Sequence, residues 1–128
     1  MEKTVVRTEA APAPYQGAPY SQAIRTGGLL FVSGQVPISP ETTEVVGETI
    51  QEQTEQVFRN LRAILEAAGA SLDRLVKTTV FLADFADFEG MNEVYARHVG
   101  DAPPARATVG IRLPDGLKVE IEGVAALE

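Results

Sequence analysis

The chain has 128 residues, 45% of them hydrophobic and 23% charged, which is enough for one soluble domain with one apolar core (residues 1–128). Zero cysteines and one histidine, His98, exclude disulfides, thiol nucleophiles, thiolate metal sites and a histidine-rich metal centre within one chain. Eleven basic against 18 acidic residues give a net charge of −7, so no nucleic-acid partner is expected. No apolar run is long enough to span a membrane, and MEKTVVRTEA has no hydrophobic signal core and carries acids that a transit peptide avoids; the cytoplasm is the expected compartment.

Lys3–Arg7 reads as a short strand. The stretch TEAAPAPYQGAPYSQA that follows is a loop, because three prolines forbid a helix interior, and its tyrosines, Tyr15 and Tyr20, are of the kind that anchor a loop on a surface. Ala23–Thr26 and Leu29–Ser33 form a hairpin about Gly27-Gly28. The run then passes into Ser33-Gly34-Gln35, either a plain strand end or a place where backbone approaches a ligand. Pro37–Gly47 is a loop. Thr49–Ala68 is a helix: Ile50, Thr54, Val57, Phe58, Leu61, Ile64, Leu65 and Ala68 make one buried stripe, Thr49 with Glu52 resembles a capping box, and Gly69 supplies the stop.

Leu75–Leu82 reads as a strand with Val76, Thr78, Val80 and Leu82 on one side and Lys77, Thr79 and Phe81 on the other. Strand, helix, strand suggests a βαβ crossover. Asp87 caps a second helix, Phe88–Val99, with Phe88, Met91, Val94, Tyr95 and His98 on its inner side. Asn92 is a poor helix former, so it is either exposed or its amide reaches a loop or ligand. His98 lies near the helix end, where a cation suits the dipole.

Pro104–Ala125 reads as two strands and a tight turn. Ala107, Val109, Ile111 and Leu113 alternate with Arg106, Thr108, Gly110 and Arg112; on the return, Val119 and Ile121 alternate with Lys118, Glu120 and Glu122. Pairing Leu113 with Leu117 about Gly116 sets Ile111 opposite Val119, Val109 opposite Ile121, Glu120 opposite Gly110 and Glu122 opposite Thr108. The polar face so formed holds Arg106 and two carboxylates, and is a solvated edge, a subunit contact or a binding site. The whole order predicts an α+β fold: a single mixed β-sheet with two α-helices packed on one face. The other face, with Phe81 and Val124 on it, has no helix to cover it, which predicts an oligomer.

The segments PYSQA, FVSGQVP, NLRAILEAAGA, VKTTVFLADFADF, MNEVYARH and PARATVGIRLPDGLKVEIEGVA together resemble the Rid family, the YjgF-type reactive enamine/imine deaminases, over nearly the whole length. The resemblance implies a chorismate-mutase-like fold, a homotrimer, and pockets in the clefts between subunits. It implies hydrolysis of 2-imino acids and their enamine tautomers, such as 2-aminoacrylate and 2-iminobutanoate, to 2-oxo acids and ammonia. Arg106 is the implied carboxylate clamp and Glu120 the positioner and general base for the attacking water. Tyr20, Ser33, Gly34, Asn92 and Thr108 fall on the family's other pocket positions, Thr108 where some relatives carry cysteine. No metal or organic cofactor is called for. Relatives usually carry glycine where this chain has Ala18, and often an aromatic hydrophobe where it has His98. A non-catalytic trimer that binds small 2-oxo or related carboxylic acids is the alternative, since it needs the same clamp.

Overall fold

The computed structural model describes residues 2–127. Six strands are Thr4–Val6 (β1), Ala23–Thr26 (β2), Leu29–Gln35 (β3), Leu75–Leu82 (β4), Ala105–Gly110 (β5) and Val119–Ala126 (β6); two helices are Ile50–Ala67 (α1) and Phe88–Val99 (α2). The strands form one sheet in the order β1-β2-β3-β6-β4-β5. Every pairing is antiparallel except β4 with β5. This is the single mixed sheet with two helices that the element order predicts.

Local chemistry accounts for most of the boundaries. Thr26 pairs with Leu29 across a two-residue turn in which Gly27 takes φ 58°. Thr49 accepts a hydrogen bond from Glu52 N–H and the Glu52 side chain accepts from Thr49 N–H, the reciprocal box that satisfies two free donors at the start of α1. Gly69 at φ 80° ends it. Asp87 stands at the N-terminal boundary of α2, but its side chain makes no cap bond; Asp84 instead accepts from Ala86 N–H and caps the short 3-10 turn, Phe85–Asp87, that runs into the helix.

The predicted hairpin of the last two strands does not form. β6 lies between β3 and β4, and β4 separates it from β5. The segment 111–118 carries the chain around the end of β4: Ile111 N–H donates to Leu82 O, and Ala83 N–H donates to Lys118 O. Gly116, at φ 87°, makes the turn within it. Glu120 therefore pairs with Phe81 rather than Gly110, and Glu122 with Thr79 rather than Thr108. The central position gives β6 backbone partners on both edges, where a local hairpin would leave one edge open. It also buries Val119, Ile121 and Ala125 completely under the helices.

β4 carries a second correction. An irregularity between Leu75 and Lys77 turns Leu75 into the core, 4% exposed, and leaves Val76 outside at 46%. From Thr78 onward the predicted alternation holds, with Thr78, Val80 and Leu82 buried. The open face of the sheet carries Phe31, Phe81 and Val124, and on β5 Ala107 and Val109, which pair with Thr79 and Phe81. The two helices cover the opposite face. β3 and β4 both run antiparallel to β6, so α1 links two parallel strands with a third strand between them, while α2 links adjacent ones.

Candidate active site

Glu120 lies on β6 with its carboxylate over the backbone of Gly34. A Cβ built on Gly34 would stand 2.0 Å from Glu120 Oε2. A side chain at this position would push the Glu120 carboxylate aside. The recess around the carboxylate, about 180 Å³, is walled by Tyr15, Tyr20, Gly34, Val36, Pro114 and Leu117. Burial raises the Glu120 pKa above its ordinary value, and the neighbouring Glu122 charge raises it further. The carboxyl group thus holds its proton more tightly than an exposed glutamate, which makes the ionised form a stronger base.

Tyr20 and Ser33 stand on the same side of the sheet as Glu120. The Tyr20 hydroxyl accepts from Tyr15 N–H at 2.6 Å, which pins the ring against the recess. Ser33 Oγ donates to Ser21 O at 2.6 Å, and its lone pairs stay free to accept. Ala18 takes φ −62° and ψ 152°, an ordinary extended backbone that alanine adopts without strain, while Gly17 takes the left-handed φ of 70°. The shift of glycine by one position therefore leaves the turn before Tyr20 intact.

Arg106 is elsewhere. It pairs with Thr78 and points to the helix side, where its guanidinium carbon lies 4.7 Å from the Tyr95 ring centre and 5.7 Å from that of Phe88. Rings at this distance hold a cation without neutralising it. No carboxylate among the described residues forms an ion pair with it. Thr108 follows on the same face of β5. Asn92 sits on α2 between Phe88 and Tyr95, partly buried rather than exposed, and its Oδ1 is buried with no partner among the described residues.

One chain thus divides the predicted residues into two groups. Tyr20, Ser33, Gly34 and Glu120 gather on the open face; Arg106, Thr108 and Asn92 gather at the edge strand on the helix side. The hairpin register placed Arg106 and Glu120 on a common face, and the insertion of β4 between their strands overturns that.

Buried amides, missed by the sequence reading, hold the walls. Gln22 Nε2 donates to Ala11 O and Pro12 O, and its Oε1 accepts from Thr8 N–H. Asn60 Nδ2 donates to Val36 O and Ile38 O, both at 3.0 Å. Gln53 Nε2 donates to Gly116 O and Gly47 O, and its Oε1 accepts from Lys118 N–H. Gln53 and Asn60 occupy the inner side of α1 beside the apolar stripe, and an amide at such positions is the signal that could have found them. His98 stacks on Phe58 with ring centres 4.7 Å apart and pairs with Glu55 at 2.9 Å.

The Endoribonuclease L-PSP family profile matches residues 8–127. A RutC family protein of Pyrococcus abyssi is 51% identical over 129 residues, spanning 100% of each chain. Reactive Intermediate Deaminase A, chloroplastic, of Arabidopsis thaliana is 47% identical over 128 residues, covering 99% of this chain and 67% of the plant protein. The crystal structure of RidA from the Antarctic bacterium Psychrobacter superposes with a TM-score of 0.90 at 43% identity, covering 96% of this chain and 98% of that one. The chain belongs to the YjgF/RidA family. Among the described residues, no helix is long and apolar enough to cross a membrane.

Proposed function

We propose that the chain is a hydrolytic deaminase of 2-imino acids and their enamine tautomers, working in the cytoplasm as a homotrimer whose sites lie between copies. The observation that carries this reading is the Glu120 carboxylate, pressed on bare backbone in a recess and raised in proton affinity. A general base works best when its pKa is brought toward the operating pH. The family membership and the name of the plant relative support the same chemistry.

The site is composite. Arg106 at the edge strand of one copy grips the substrate carboxylate with two parallel hydrogen bonds, and Glu120 comes from the open face of the next copy. An enamine gains a proton at C3, or an imine gains one at nitrogen, and either becomes the electrophilic iminium ion. Glu120 takes a proton from water as the water oxygen bonds to C2, and the C=N π electrons move to nitrogen. The same carboxyl group then returns that proton to nitrogen. The C–N bond breaks, ammonia leaves, the hydroxyl loses its proton, and the 2-oxo acid remains. Tyr20 closes the recess, Ser33 and the Gly34 backbone line the reacting end, Thr108 borders the carboxylate clamp, and Asn92 braces the pocket loop. Free imines hydrolyse unaided, so positioning supplies much of the acceleration.

The test is a coupled assay. A dehydratase generates 2-aminoacrylate or 2-iminobutanoate, and release of pyruvate or 2-oxobutanoate is timed with and without the protein. Faster release supports the reading. Binding of 2-oxo acids with no acceleration would select the non-catalytic binding protein instead.

A further inference from the structure

The recess at Glu120 continues. Four of its walls, Tyr15, Tyr20, Gly34 and Val36, also line a second cleft of about 440 Å³ between the 12–16 loop and the 36–43 loop. That volume lies in the range of small-molecule sites, about 300–1,000 Å³. No charged residue lines it, and Pro12, Ala13, Pro14 and Ile38 give its far end an apolar surface.

Both walls are fixed. Gln22 holds Pro12 O at 2.8 Å on one side, and Asn60 holds Val36 O and Ile38 O on the other. The two non-glycine residues with positive φ among those described, Gln16 at 53° and Thr43 at 61°, stand on these opposite walls. Backbone held in that region costs energy and clusters at ligand clamps.

We infer that this cleft receives the side chain of the 2-imino acid, so that the preferred substrates carry branched or aromatic apolar side chains rather than methyl or ethyl groups. The inference rests on the deaminase reading and names the substrate class of the same site. With the carboxylate held by Arg106 and C2 beside Glu120, the side chain runs past Tyr20 into the cleft. A methyl group stops at its mouth, whereas an isobutyl or benzyl group reaches the apolar far end. One methylene in an apolar pocket changes kcat/KM by about 10–200-fold.

Imines of alanine, 2-aminobutanoate, leucine and phenylalanine, made with an L-amino acid oxidase and catalase and followed by semicarbazide trapping, give kcat/KM for each side chain. The expected result is a rise of at least about tenfold from the alanine to the leucine or phenylalanine imine. Ala13→Trp, which fills the cleft from an exposed loop, lowers the long-chain values far more than the short. In parallel, calorimetric binding of the matching 2-oxo acids follows the same order. A flat series, a preference for the short imines, or an Ala13→Trp variant that lowers all substrates equally would overturn the inference while leaving deamination standing. If no imine is turned over, the deaminase reading fails, and the binding series decides the cleft by itself: stronger binding of the larger 2-oxo acids supports it, equal binding overturns it.

Discussion

The Cβ that Gly34 lacks would fall 2.0 Å from Glu120 Oε2. The obstacle is the far end of a flexible side chain, and the φ of Gly34 is not in the left-handed region. Gly34→Ala is therefore expected to fold, with a stability change within about 1 kcal/mol, because the carboxylate can swing aside. On the proposed mechanism the displacement moves the base by an ångström or more, which lowers kcat/KM by about 10²-fold. Thermal melts and steady-state rates on the same preparation check both halves.

On the proposed mechanism, Glu120 makes the activity as well as the stability of the protein depend on pH in defined directions. Its pKa is raised by burial and then by Glu122, so the rate falls as pH drops through that raised value. Glu122→Gln removes one of the two causes and moves the acid limb of the profile to lower pH. The sign for stability is opposite to that of a salt-bridged carboxylate. The native state binds this proton more tightly than the unfolded chain does, so the contribution is fully present below the unfolded pKa and is lost as pH rises through the folded one. Glu120→Gln should melt higher than the parent at neutral pH, and the difference should shrink toward acid.

Legibility in the sequence followed the range of the interactions. The capping box at Thr49 and Glu52, the stop at Gly69 and the Gly27-Gly28 turn depend on neighbours within a few residues, and all three stand as read. The alternation of β5 was also read correctly, but which way it faces was not. Matching Val109 to Ile121 satisfied every local rule, and no local rule reports that β4 enters between the two strands. Arg106 and Glu120 could be picked out as residues; their separation onto two faces is a property of the topology. Asn92 was left between exposure and a working amide, and its buried, partnerless Oδ1 favours the second. Gln53 and Asn60 were hidden because a buried amide looks like a break in an apolar stripe until its distant partners, such as Ile38 for Asn60 and Lys118 for Gln53, 22 and 65 residues away, are known.

Gln53 ties the 116–118 turn, next to Pro114 and Leu117 of the recess, to α1. Gln53→Leu keeps the bulk and removes every hydrogen bond, leaving Lys118 N–H, Gly116 O and Gly47 O without their side-chain partner. The expected loss is about 1–3 kcal/mol in urea unfolding, the cost of orphaning buried polar groups.

His98 stacks on Phe58 and pairs with Glu55. Burial alone would push the Glu55 carboxyl up, but the His98 hydrogen bond and the charges of His98 and Arg97 bring it below its ordinary value. Stability from this pair is present above the unfolded pKa of Glu55 and is lost as pH falls through the folded one. His98→Phe keeps a ring on Phe58 and removes the pair. The expected change in stability is within about 1 kcal/mol, because Glu55 is partly exposed. Deamination should be unaffected, as steady-state assays of the variant would report.

The central claim is that one working site needs Arg106 from one copy and Glu120 from another. Arg106→Ala and Glu120→Gln chains, each inactive alone, can be unfolded together in equal amounts and refolded as mixed assemblies. In a ring of like interfaces, random mixing restores both groups at about one quarter of the sites, so the mixture should recover about one quarter of the parent rate. A mixture as inactive as its two components, from assemblies shown to contain both chains, would contradict the account.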